Sequence, residues 1–222
     1  KERIKESRVR GTRLLAETLT RLDHKPAVLV SASATGFYGE RGDYVCDESA
    51  SSGSGFLTDV CVAWEAATEA ALKAGIRVVN VRSGVVLSRA GGALHKMLLP
   101  FRLGGGGVVG SGRQIWSWIA IDDLVRIFER ALVDESLRGP VNAVAPQAVT
   151  NREFTKTLGR VLRRPTLIPM PAWLARLVLG EMADHLLLAS THVVPQRLQD
   201  LGFSFTYPDL EAALRHELTD VR

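Results

Sequence analysis

The stretch AVLVSAS, residues 27–33, constrains the fold more than any other part of the chain. A continuous apolar run that ends in small hydroxyl residues is how a strand buried on both faces looks as it leaves the carboxyl edge of a parallel sheet. A second strand is predicted at IRVVNVRSGVVL, residues 76–87. Helical spacing surrounds both. Ile4, Leu14, Leu15, Leu19 and Leu22 predict an amphipathic helix over residues 2–22, broken by DHKP. GFLTDVCVAWEAATEAA opens a second helix, predicted over 55–74, and DDLVRIFERALVD a third, with an acidic first turn that suits the helix dipole. Short strands are predicted at WSWIAI and GPVNAVAP, and a further helix at TNREFTKTLGRVLRRP, opened by Thr150 or Asn151 and closed before Pro165. Parallel strands need crossovers, and alternating strand and helix supply them. The expected class is α/β, a parallel sheet with helices on both faces.

After Leu167 the composition shifts to IPMPAWLARLVLG and a helix-rich tail, which divides the chain into residues 1–165 and a smaller C-terminal unit, 166–222. Within the first unit, the segment LLPFRLGGGGVVGSGRQ, residues 98–114, reads as a loop. Its GGGVVG, residues 105–110, satisfies G-x-G-x-x-G, yet SGRQIWSW follows and no helix begins there. That context rejects a dinucleotide fingerprint, and the lysine of a P-loop is missing too. A flexible loop bordering a pocket is the plainer reading.

Composition narrows the functional classes. A net charge of +4, with Lys and Arg spread along the chain, provides no clustered stripe for nucleic acid and suits an anionic small molecule such as a nucleotide. There is no apolar run of transmembrane length, and KERIKESRVRGTRLL is too charged for a signal peptide. Cys46 and Cys61, without CxxC or paired histidines, argue against a disulfide scaffold and a zinc site and fit a reducing cytoplasm. Cys61 reads as a small buried apolar residue. Asp122 and Asp123 read as helix caps, and His95 and Trp118 as packing or rim residues. Arg102 and Arg113, in the pocket-side loops, could hold an anionic substrate, although exposed arginines usually hold water.

In order, SRVRGTRLLAETL, SASATGFYG, the helix at 55–74, VVNVRSGVVLS and GSGRQIWSWIAIDDLVRIFERAL resemble the extended short-chain dehydrogenase/reductases. More closely, GFLTDVCVAWEAA, RSGVVLSRAGGALHKMLLPFRLG and VVPQRLQDLGFSFTYPDLEAAL resemble an atypical branch, the NAD-dependent epimerase/dehydratase-like proteins with their own C-terminal domain of unknown function. The resemblance implies a doubly wound, Rossmann-like parallel sheet lacking its first βαβ units, with a small C-terminal α/β unit. The glycine-rich segment that family members carry at the front is absent from these residues. It further implies NADP or NAD as cofactor, with NADP favoured by the basic balance and Arg8, an unknown small-molecule substrate, and a homodimer built on the helices at 2–22 and 55–74. Nucleic acid and membrane are not expected as partners.

Carried over position by position, the resemblance places Ala32 and Ser33 at the strand end beside the cofactor. Ser33 supplies the hydroxyl that bonds the substrate's reacting oxygen, with Thr35 an alternative because the count to the following YG is one residue long. Arg8 falls near the nicotinamide, where a guanidinium could bind phosphate or ribose bidentately. Arg82, Ser83, Gly84, Val85 and Val86 line the nicotinamide side. One departure is chemical. Where the wider family has Tyr-x-x-x-Lys, this chain has Cys61 and Glu65. A carboxylate one turn away raises a thiol's pKa, whereas the orthodox pair lowers a phenol's with an ammonium. Tyr38 and Tyr44 are the tyrosines that could stand in, Tyr38 the nearer, although a packing role at the turn is the simpler reading. Two outcomes therefore stand open: an oxidoreductase or epimerase-like enzyme with altered proton handling, or a nucleotide-binding or regulatory protein without catalysis.

Overall fold

The computed structural model describes residues 2–180 and 183–219. Helix α1 (Glu2–Thr20) leads into strand β1 (Val28–Ala34), which runs directly into a single 3-10 turn, Thr35–Tyr38. Strand β2 (Val45–Cys46), helices α2 (Phe56–Ala66) and α3 (Glu69–Lys73), and strands β3 (Arg77–Ser83) and β4 (Val85–Leu87) follow. Next come α4 (Gly92–Arg102), β5 (Ile115–Trp116), β6 (Trp118–Ala120), α5 (Ile121–Val133) and β7 (Gly139–Ala143). The remainder holds β8 (Val149–Thr150), α6 (Asn151–Leu162), α7 (Ala172–Leu179), a π-type turn at Asp184–Leu188, β9 (His192–Val193), α8 (Gln196–Asp200) and α9 (Leu210–Thr219). Among the described residues no helix is long and apolar enough to cross a membrane.

The central sheet is parallel, in the order β1-β3-β7. Alternation sends its side chains to two different layers. Val79, Val81, Val141 and Ala143 meet Ile127 and Ala131 of α5 on one face. Leu29 and Val78 meet Ala16 of α1 and Ala71 of α3 on the other. Helices thus cover both faces of the sheet. The register sets Ser33 opposite Arg82 and Arg82 opposite Asn142, so a row of three polar residues crosses the carboxyl end of the sheet.

Several expectations are corrected. The helix predicted over 55–74 is two, broken after Ala66, where Thr68 Oγ1 donates to the Glu65 carbonyl at 2.7 Å. Such a back-bond competes with the helical ladder. The strand predicted over 76–87 splits at Gly84, and its second half pairs with β6. A Cβ at Gly84 would stand 2.5 Å from the Ser117 carbonyl oxygen, so the crossing admits only glycine there. Part of the predicted loop is helix: Leu94, Leu98 and Phe101 of α4, spaced three and four apart, bury together despite Pro100 inside the helix. The glycine loop that follows is packed down, with Val109 bridged to Met170 and Gly107 against the Ile168 carbonyl.

Asp123 does not cap α5. It is fully buried and accepts from the Thr206 and Tyr207 N–H groups at 2.8 and 2.9 Å, tying the tail down, while Arg126 pairs with it at 2.9 Å. Asp122 pairs with His216 at 2.7 Å. At the far end of the chain, Leu210, Ala213 and Leu214 of α9 share one apolar cluster with Leu87, Trp116 and Phe154.

Candidate functional site

The polar row at the carboxyl end of the sheet is roofed by α2. Glu65 descends from that helix onto Arg82, which answers with a bidentate fork: Nε to Oε1 and Nη2 to Oε2, both 2.8 Å. The two side chains are 12% and 5% exposed, so the pair lies outside the screening that makes surface bridges weak. Ser33 Oγ donates to Glu65 Oε1 at 2.6 Å, the short distance expected of a hydroxyl on a carboxylate. Arg82 Nη1 donates to the Tyr38 phenolic oxygen at 3.0 Å, and that phenol donates to Asn142 Oδ1 at 2.7 Å. Asn142 Nδ2 then reaches the Val194 carbonyl at 3.0 Å. The guanidinium also lies 3.5 Å from the centroid of the Phe37 ring. Every donor in this chain of contacts has an acceptor, which is what a buried polar network requires.

Placement of the expected residues follows from this network. Ser33 and Arg82 are brought together through Glu65, but Arg82 is spent on the carboxylate and Tyr38 and presents no free guanidinium to a cofactor. Ser83 Oγ donates to the Ser33 carbonyl at 3.2 Å and stitches β3 to β1. Ala32 is exposed beside Ser33. The Val85 N–H donates to the Ser117 carbonyl at 2.8 Å, and Val85 and Val86 offer half-buried side chains. Gly84 is required by packing. Arg8 is exposed on α1, its guanidinium 5.4 Å from the Trp64 ring, and no carboxylate pairs with it among the described residues. Thr35 opens the 3-10 turn, half-buried.

Two candidates change character. Tyr38 is fully buried, and burial pushes its phenol above the ordinary value, with Arg82 opposing the shift. It is a protonated structural hydroxyl, and its standing in as a proton donor to substrate is withdrawn. Cys61 is buried, and its thiol is pushed up to about 11, first by burial and then by the Glu65 charge. It is inert at neutral pH, as a thiol beside a carboxylate should be. Tyr44 is exposed in the loop before β2.

Three participants were not singled out from sequence. Asn142 lies 104 positions from Tyr38, and the Phe37 ring enters through the Arg82 guanidinium above it. Glu48 sits in a loop of ordinary polar composition, yet it is buried and accepts from the Asn142 N–H at 2.9 Å. Burial raises its pKa despite those bonds.

Two hollows flank the network. One, of about 800 Å³, runs between α2, α3 and β7 and includes Ala27, Gly75 and Gly139, which places it at the opposite, amino end of the strands. The other, of about 340 Å³, adjoins the exit of β1 between Gly36, Leu57, Thr58 and the tail residues Arg176, Asp184 and Thr191. Residues 102–118, expected to line the pocket, contribute to neither. Arg102 and Arg113 are exposed away from both. Within the described residues no glycine-rich turn links a strand to a following helix N-terminus, so a pyrophosphate cradle of that kind is not built from them.

Residues 1–143 match the NAD dependent epimerase/dehydratase family, and residues 170–217 match a domain of unknown function, DUF1731. The chain is 42% identical over 219 residues to the epimerase family protein Mb2239 of Mycobacterium bovis, covering 99% of this chain and 72% of that protein. It superposes on the crystal structure of human epimerase family protein SDR39U1 (isoform 2) with NADPH, with TM-score 0.92 and 36% identity, over 100% of this chain and 76% of that one. A nucleoside-diphosphate sugar epimerase from Corynebacterium glutamicum aligns with TM-score 0.80 and 41% identity, over 98% of this chain and 42% of that one.

Proposed function

The chain belongs to the NAD-dependent epimerase/dehydratase family, and from that premise we propose that it binds NADP(H) across the exits of β1 and β3 as the redox partner of a small substrate. The observation that carries this reading is the register of the sheet. Ser33 and Arg82 end neighbouring parallel strands, and open α/β sheets bind ligands outside the carboxyl ends of their strands. Exposed Ala32, half-buried Val85 and Val86, and the exposed guanidinium of Arg8, which has no carboxylate partner among the described residues, fit an anionic dinucleotide there. The crystal structure of the human relative with NADPH supports the phosphorylated form of the cofactor. A doubly wound sheet completed on the free edge of β1, and a C-terminal unit over residues 166–222 beside the 340 Å³ hollow, belong to the same reading.

When bound, a nicotinamide supplies or accepts hydride. The proton then falls to this chain's own residues. Ser33 is the hydroxyl at the strand exit, and its hydrogen is directed at Glu65. Ser33 is only 2% exposed, so its lone pairs would meet a substrate alcohol only where binding opens the strand exit, and the alcohol's proton would then pass through Ser33 Oγ to the Glu65 carboxylate. Arg82 stands in the way of that transfer, because its bidentate fork already occupies both Glu65 oxygens, each at 2.8 Å. The same fork favours the second reading, a nucleotide-binding or regulatory protein without turnover.

The test uses the polypeptide as its gene encodes it. NADPH binding is measured by fluorescence and NADPH consumption at 340 nm across aldehyde, ketone and nucleotide-sugar panels. Binding with turnover that Ser33→Ala reduces at least tenfold supports the enzyme. Binding without turnover supports the second reading, and absence of binding refutes both.

A further inference from the structure

The carboxyl-terminal helix meets the start of α5 at a cluster that the strand-exit network does not touch. Asp122 in the first turn of α5, and His216 and Glu217 near the end of α9, each bring one donor atom within 4.8 Å of the others. His216 Nε2 lies 2.7 Å from Asp122 Oδ2. The imidazole is held by stacking on Tyr207, with centroids 4.5 Å apart and planes 19° from parallel. Glu217 is 8% exposed, and among the described residues its carboxylate accepts from the Arg89 N–H alone, at 3.0 Å.

Charge does not balance here. Among the described residues neither Asp122 nor Glu217 pairs with a lysine or arginine, and the one basic group beside the two carboxylates there is the His216 imidazole. Asp122 is exposed and water can screen it. Glu217 has no such recourse, and a buried carboxylate with one neutral donor is unfavourable. We propose that Asp122, His216 and Glu217 bind a divalent transition metal, with zinc the best match. One imidazole nitrogen and two carboxylate oxygens are the borderline donor set that zinc takes up, with water completing the shell. Zinc bonds of about 2.0–2.2 Å set tetrahedral donors roughly 3.3 Å apart, so the His216–Asp122 contact opens by a rotation of the exposed Asp122 side chain. Arg89 lies two residues beyond the last residue of β4, which carries Val85 and Val86, so the metal would pin α9 to α5 and to the exit of β4. It acts as a structural clasp between the tail and the strand-exit region.

The test adds zinc chloride alone to protein stripped with EDTA, read by calorimetry and by thermal unfolding. The expected result is one saturable equivalent and a higher Tm. Asp122→Asn and His216→Ala each weaken binding at least tenfold, with unchanged circular dichroism for the exposed Asp122 variant, and His24→Ala leaves binding intact. Glu217→Gln raises the Tm of the metal-free protein and abolishes the zinc-induced shift. Absence of saturable binding at millimolar zinc, binding that survives Asp122→Asn, or a metal-free Glu217→Gln less stable than the parent would each overturn the site.

Discussion

Replacing Glu65 by alanine tests whether the strand-exit network is held together as its geometry indicates. The substitution leaves the Arg82 guanidinium, on a side chain only 5% exposed, with the Tyr38 oxygen and the Phe37 ring as its remaining partners. Removing one member of a buried pair costs about 3–5 kcal/mol, because the other charge stays uncompensated. Ser33, whose hydrogen points at Glu65 from 2.6 Å, loses its acceptor and adds about 1 kcal/mol. The partners that Arg82 keeps pull the sum toward the lower end, about 3–4 kcal/mol. For a chain of 222 residues, at about 2–4 °C per kcal/mol, the Tm falls by roughly 6–16 °C. Urea unfolding followed by tryptophan fluorescence measures this directly. The double variant Glu65→Leu/Arg82→Met recovers most of the loss, since an apolar pair of similar volume replaces both charges at once. Near-neutral behaviour of Glu65→Ala, below about 1 kcal/mol, would refute the reasoning. So would a double variant no more stable than that single one.

Other expectations follow from the same coordinates. Gly84→Ala forces a Cβ to within 2.5 Å of the Ser117 carbonyl and should destabilise by about 1–3 kcal/mol or more, read by denaturant midpoint. Burial raises the pKa of both cysteines, that of Cys61 to about 11, so neither thiol should react with a disulfide reagent at about pH 8 until the chain unfolds. Glu48 has its pKa raised by burial, so its contribution to stability is complete below the ordinary glutamate range and is lost as pH rises through the raised native value. Glu48→Gln should therefore flatten the decline in Tm as pH rises above the ordinary glutamate range, about pH 4, and an unchanged slope would contradict this. The proposed homodimer is probed at Leu15, which is half exposed on α1, by Leu15→Glu and light scattering. Leu19 packs against the core and would report on folding instead. A dimer unchanged by Leu15→Glu places the interface elsewhere.

Local pattern carried the architecture. AVLVSAS was legible as a buried parallel strand because burial on both faces favours an unbroken apolar run, IRVVNVRS was legible as a strand from its β-branched residues, and the helices between them were legible from period and polar breaks. The failures were of another kind. Splitting of the second strand at Gly84 depends on the Ser117 carbonyl crossing above it, and the break between α2 and α3 on a side-chain back-bond within an otherwise helical pattern. The α4 helix was hidden behind Pro100 and the glycines that follow, which locally favour a loop.

What the sequence alone determined at the candidate site is its chemical inventory. Cys61 and Glu65 at a one-turn spacing exclude the orthodox proton handler wherever the helix docks, because a carboxylate beside a thiol acts on its pKa in one direction only. Tertiary structure alone decided where the positive charge went. Arg82 lies 17 residues from Glu65 and 44 from Tyr38, and Tyr38 lies 104 from Asn142. Only the sheet register and the descent of α2 onto it bring these side chains within hydrogen-bonding distance. Contacts made across layers leave no periodic trace in a sequence, since each partner satisfies its own local rules whether or not the other is near.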